Sequence, residues 1–119
     1  MYQIREVIHA IVDAESFFEI NPGYGESLVV GLARLDGYAI GIMANDTCHH
    51  GGAVNASASE KMMRFVDLCD PFPLPMLNLV DNPGFLIGSE AEEEGTVRLG
   101  SRALMACYQA TIPWVSVII

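Results

Sequence analysis

Apolar residues Ile4, Val7, Ile8, Ile11 and Val12 return at helical spacing, which predicts an amphipathic helix over residues 3–14 that buries this stripe. Phe17 to Ile20 is expected to pack against it. Leu28 to Leu35 and Tyr38 to Ala44 are β-rich apolar runs separated by Asp36-Gly37. That dipeptide marks a two-residue hairpin, so the two runs should be antiparallel neighbours. Both are apolar on two faces, the pattern of strands covered on both sides.

Between Asn45 and Ser59 the residues turn small and polar and include Gly51-Gly52, which predicts a loop. Helical spacing resumes from Glu60 to Cys69 through Met62, Phe65, Val66 and Cys69. Pro71, Pro73 and Pro75 stop that helix, because each lacks a backbone donor and disfavours the α region before it. Met76 to Val80 reads as a short buried strand and Asp81-Asn82-Pro83-Gly84 as a turn. Ser89 with Glu92 forms a capping box opening a long helix whose stripe is Val97, Leu104, Tyr108 and Thr111. Pro113 ends it, and Trp114 to Ile119 is a final apolar strand that leads nowhere. The order is that of an α/β fold whose last two strands, joined by a helical crossover, are parallel.

A length of 119 residues admits one core and not two domains. Apolar residues are 51% of the chain and mean hydropathy is +0.33, which excludes disorder. Fifteen acidic against six basic residues give a net charge of -9, the wrong sign for gripping phosphate backbones, so nucleic acid is not an expected partner. No apolar run is long enough for a membrane span, and the N-terminus reads as an amphipathic pattern rather than a signal peptide. The expectation is a soluble, unsecreted protein. Cys48, Cys69 and Cys107 are odd in number and lack any CxxC pairing, so a reducing compartment suits them better than a disulfide framework or zinc cage.

Chemistry has few candidates. The joint Val80-Asp81-Asn82-Pro83-Gly84-Phe85-Leu86-Ile87-Gly88 lies where ligands sit in open α/β sheets, and a Gly there lets backbone N–H groups approach a developing oxyanion. The same residues could simply turn the chain. Glu90, Glu92, Glu93 and Glu94 are accounted for by a helix dipole. His49-His50 has no HExxH or CxxC companion, so metal binding is not expected, although a loop histidine could act as acid or base. Neither Cys69 nor Cys107, both on helical stripes, nor Cys48 has a neighbour that would activate a thiol. There is no GxSxG, P-loop or GxGxxG.

Taken together, several segments resemble the carboxyltransferase (beta) subunits of biotin-dependent acyl-CoA carboxylases, the propionyl-CoA carboxylase beta type. They are Tyr2-Gln3-Ile4-Arg5-Glu6-Val7-Ile8, Phe17-Phe18-Glu19-Ile20, Val29 to Arg34, Gly41 to Asn45, Lys61, Arg64-Phe65-Val66, Cys69-Asp70 and Phe72. The most specific is Val80 to Gly88, followed by Glu92, Gly95, Arg98, Gly100 and Ala110-Thr111-Ile112-Pro113. The resemblance implies the crotonase-like (ClpP/crotonase) fold of ββα units, with residues 1–119 as a single partial domain, the first part of the C-terminal carboxyltransferase half.

The reaction it implies moves a carboxyl group from carboxybiotin, held on a carrier protein, to the α-carbon of a propionyl- or acetyl-class acyl-CoA. Each half offers an oxyanion hole. Gly84 and Phe85 match backbone donors on the biotin side, within a biotin-binding turn of Pro83, Gly84, Phe85 and Leu86; the second donor of that hole comes in the family from a Gly-Gly-Ala segment after the last strand. No metal is implied. Implied partners are the N-terminal half of the carboxyltransferase, the biotin carboxyl carrier protein, the biotin carboxylase subunit and further copies of the chain, in the cytoplasm or the mitochondrial matrix. The chain alone is expected to be inactive.

Asn55 stands where the family has Asp, Ala58 for Ser, Ala91 for Gln, Ser101-Arg102 for Ala-Lys, and Asp46-Thr47-Cys48-His49-His50 replaces an Asn-Gln-Pro-like loop. These departures bear on substrate choice. An acyl-CoA decarboxylase or hydrolase of the same superfamily and a non-catalytic assembly module stay open as alternatives.

Overall fold

In the computed structural model, which describes residues 2–81 and 112–119, helix α1 spans Ile4–Ile11 and strand β1 Phe18–Ile20. β2 is Leu28–Leu35 and β3 Tyr38–Asn45. A single 3₁₀ turn at His50–Gly52 leads to α2, Ala56–Cys69. β4 is Met76–Val80 and β5 Trp114–Ile118. The strands form one sheet in the order β1-β2-β3-β4-β5. β2 is antiparallel to both of its neighbours, β1 and β3; β4 runs parallel to β3, and β5 parallel to β4. Both the hairpin and the parallel pair therefore match the sequence expectation.

The hairpin closes Leu35 against Tyr38. Its two linking residues, Asp36 and Gly37, have φ of 51° and 82°, the left-handed conformation that a twisted two-residue turn requires and that Gly tolerates. The turn is also held from outside: the Asp13 carboxylate accepts the N–H groups of Asp36 and Gly37 at 2.9 and 2.8 Å. This explains why α1 ends at Ile11 and not at residue 14. Val12 is already extended, and the Asp13 N–H donates to the Arg34 carbonyl at 2.8 Å. Tertiary contacts with the hairpin override the helical pattern.

Alternation along the strands puts one apolar layer on each face of the sheet. Ile4, Ile8 and Val12 of the α1 segment pack with Val29, Ala33, Ile40, Ile42, Ala44 and Leu79. On the other face Val54, Ala58, Phe65 and Cys69 pack with Leu28, Val30, Met43 and Met76. Burying Ile4 and Ile8 completely is worth roughly 1.5–3 kcal/mol each.

The expected start of the second helix is corrected. α2 begins at Ala56, four residues before Glu60, because the Asn55 side chain caps it by accepting the Ala58 N–H at 2.8 Å. Its first turn, Ala-Ser-Ala-Ser, carries no large apolar residue and so gives no periodic signal. The last strand forms where expected and lies at the edge of the sheet, with Val115, Val117 and Ile118 open at 59%, 42% and 86%. The long helix expected from Ser89, with its stripe and Cys107, lies outside the described residues. No helix among the described residues is long and apolar enough to cross a membrane.

Candidate functional site

The carboxyl ends of β3, β4 and β5 lie side by side. In open α/β sheets this is the edge where ligands bind, since loops leaving parallel strands diverge there and expose backbone groups. β3 ends at Asn45, β4 delivers Asp81, and the Ile119 N–H donates to the Val80 carbonyl at 3.1 Å. The chain then continues from Asp81 into Asn82-Pro83-Gly84-Phe85-Leu86. The expected site residues Pro83, Gly84, Phe85 and Leu86, and the acidic Glu90, Glu92, Glu93 and Glu94, lie outside the described residues. What can be placed is the residue from which they start.

Asp81 is fixed from three directions. Its N–H donates to Asn45 Oδ1 at 3.0 Å. Its carboxylate Oδ2 accepts the Tyr2 hydroxyl at 2.6 Å. Its carbonyl oxygen lies against Gly52, where a Cβ would stand 2.4 Å away. Gly52 has φ of 86°, so glycine is required twice over, by the backbone conformation and by the close approach. Partial burial, together with the Asp81 carboxylate, pushes the Tyr2 phenol up to about 12, so it remains a donor through the physiological range.

Beside this tether runs a charge-assisted network. Arg5, on the first turn of α1, donates to both Glu19 carboxylate oxygens at 2.7 and 2.8 Å and to Asp46 Oδ2 at 3.0 Å. Glu19 first, then Asp46, hold the guanidinium above its already high ordinary value. The other Asp46 oxygen accepts the Cys48 N–H at 3.0 Å, and its own N–H donates to the Ser27 carbonyl at 2.8 Å. The Asp46 side chain is 2% exposed, so this carboxylate is spent on structure.

His49, singled out as an acid–base candidate, has Nδ1 3.1 Å from Glu26 Oε2 and Nε2 4.0 Å from Asp46 Oδ2. Carboxylates flank both ring nitrogens. Among the described residues, no group of three or more His, Cys, Asp or Glu is arranged to hold a metal ion. Cys48 is exposed; Cys69 is buried in the α2-side core, and burial pushes its thiol up to about 11. It is a packing residue, as its helical position suggests.

Sequence reasoning set Gly51-Gly52 aside as an early loop pair and gave Tyr2, Arg5 and Asn45 no role at the site. Structure brings Tyr2, Asn45 and Gly52 onto Asp81. For Tyr2, Arg5 and Asn45 the only signal is their place in the family-like segments, and Gly52 has none, because contacts between the N-terminal segment, the 46–52 loop and the end of β4 have no local sequence pattern.

Residues 1–119 match the family described as the carboxyl transferase domain. The chain is 44% identical over 117 residues to the biotin-dependent acetyl-/propionyl-coenzyme A carboxylase beta5 subunit of Mycobacterium leprae, covering 98% of this chain and 21% of that protein. It is 41% identical over 117 residues to the mitochondrial propionyl-CoA carboxylase beta chain of Homo sapiens, with 98% and 22% covered. Among solved structures it is similar to the transcarboxylase 12S hexamer with methylmalonyl-coenzyme A and methylmalonic acid bound, with a TM-score of 0.94, 40% identity, and 98% and 23% covered. A single-chain, multi-domain long-chain acyl-CoA carboxylase gives a TM-score of 0.96 at 39% identity, with 98% and 12% covered. The chain thus spans about a fifth of the length of these curated relatives.

Proposed function

This chain belongs to the carboxyl transferase domain family, and from that premise we propose that it forms the first part of the C-terminal half of an acyl-CoA carboxyltransferase, building the biotin side of the site. The whole enzyme would move a carboxyl group from carboxybiotin on a carrier protein to the α-carbon of a propionyl- or acetyl-class acyl-CoA. An opposing N-terminal half would hold the thioester, and the subunits would assemble as oligomers with a biotin carboxylase partner.

One observation carries this reading: the polar side chains at the carboxyl edge of the sheet are already committed to one another. Asn45 holds Asp81, Asp81 holds Tyr2, and Asp46 holds Arg5. Among the described residues this edge offers scaffolding in place of an unengaged acid or base. That suits a site whose chemistry rests on backbone donors, which stabilise developing negative oxygen without rearranging. Gly84 and Phe85 are the donors we assign, with Pro83 and Leu86 completing the turn against biotin. Biotin supplies the carboxyl group when bound; the chain's part is to hold the ureido oxygen and keep the turn in place.

Amide-resolved NMR of the chain, titrated separately with biotin and propionyl-CoA, tests the assignment. Shifts at Gly84 and Phe85 with biotin, and none there with the thioester, are expected. Thioester shifts at those amides with no biotin response would favour the decarboxylase or hydrolase reading. Carboxyl transfer by the chain alone would refute the partial-site assignment.

A further inference from the structure

We propose that Asp81 is a positioning residue for the biotin-side turn, and that Tyr2, Asn45 and Gly52 are the groups that set it. This rests on the reading above that residues 83–86 face biotin. The three contacts act on three different parts of one residue. Asn45 fixes the N–H, Gly52 the carbonyl and Tyr2 the side chain. They come from three separate pieces of chain: the end of β3, the 3₁₀ turn and the segment before α1. With β5 also paired to Val80 through the Ile119 N–H, the last residues of β4 have little freedom of translation or rotation. Whatever follows Asp81 therefore starts from a fixed point and direction.

The stacking of constraints exceeds what strand termination needs. A strand end is ordinarily satisfied by water or a turn. Here a left-handed glycine is pressed onto a carbonyl, and a phenol that is 37% exposed is nevertheless aimed at a carboxylate. For catalysis by backbone donors such fixing matters, because a misplacement of about 1 Å can cost on the order of 100-fold in rate.

The test uses the complete carboxyltransferase subunit carrying this sequence. It measures carboxyl transfer from methylmalonyl-CoA to free biocytin, with kcat and the two KM values determined separately. Tyr2→Phe removes only the hydroxyl. A fall in kcat of roughly tenfold is expected, with KM for the thioester unchanged and thermal midpoint nearly so. Asp81→Ala should lose more, and Asp81→Asn, which keeps an acceptor for Tyr2, should recover most of that loss. Gly52→Ala should be the most damaging; if it does not fold, the Tyr2 and Asp81 series decides alone. Gly84→Pro, which deletes the assigned donor, separates the two ideas. If it abolishes transfer while Tyr2→Phe leaves kcat intact, the turn assignment stands and the positioning role is overturned. If it is silent, the assignment fails, and positioning of that turn fails with it. Loss of kcat in Tyr2→Phe matched by an equal loss of folded protein would also overturn the proposal, as a purely structural effect.

Discussion

Lys61, the only lysine in the chain, is 3% exposed and has no ion-pair partner among the described residues. Its Nζ donates to the carbonyls of Tyr24 and Leu28, each at 2.7 Å. These bonds pin the middle of the segment between β1 and β2, and the first residue of β2, to α2. Replacing Lys61 with Met keeps the apolar stem and deletes both bonds, leaving two carbonyls without their donor. Hydrogen bonds from a charged donor are worth about 1.5–3 kcal/mol each, and relief of the buried ammonium offsets part of the loss. A net destabilisation of about 2–4 kcal/mol at pH 7 is expected, or on the order of 1–2 M in urea midpoint for a domain of this size. Fluorescence of Trp114, the only tryptophan, reports it. Burial lowers the Lys61 pKa, so the unfolded chain binds this proton more tightly than the folded one. Wild-type stability should therefore rise relative to the Met variant as pH climbs from the folded value towards about 10.4. The gap between the two proteins should widen across that window. A Met variant within about 0.5 kcal/mol of wild type at pH 7, or a gap that narrows as pH rises, would refute the reasoning. Either result would mean that water entering the cleft of about 230 Å³ beside Lys61 solvates the amine and the carbonyls.

Two further outcomes follow from the site network and the core. Arg5→Met should cost about 2–3 kcal/mol, since it leaves the nearly inaccessible Asp46 carboxylate without its cation, and Arg5→Lys should restore less than half, because an ammonium cannot span both Glu19 oxygens and Asp46 together; thermal melts of the three proteins check this. In thiol labelling at pH 8 followed by peptide mapping, Cys48 should react in the folded protein and Cys69, whose thiol is raised to about 11, only after denaturant is added; equal labelling would contradict the packing of α2 on the sheet.

What could be read from the sequence divides by range. The Asp36-Gly37 turn, the Ile4-Ile8 stripe and the two-faced apolar runs of β2 and β3 are properties of neighbouring residues, and all three appear where expected. The start of α2 failed because its cause is a single Asn55 cap followed by small residues, which leave no periodicity to detect. The end of α1 failed because Asp13 is drawn to the hairpin by Asp36 and Gly37, distant in sequence. At the site the division is sharper. A Pro-Gly turn after a buried strand marks where backbone donors could lie, and that mark is local. The groups that hold its starting residue are not: the phenol of Tyr2, the amide oxygen of Asn45 and the missing side chain of Gly52 meet only when sheet, helix and 3₁₀ turn have assembled. Gly52 is the clearest case. Its left-handed φ alone could be served by an Asn, but only a residue without a Cβ can stand against the Asp81 carbonyl. The chemical part of such a site is backbone that almost any sequence could supply, so specificity has to reside in the side chains and gaps that fix its geometry, and those are the features a one-dimensional reading is least equipped to find.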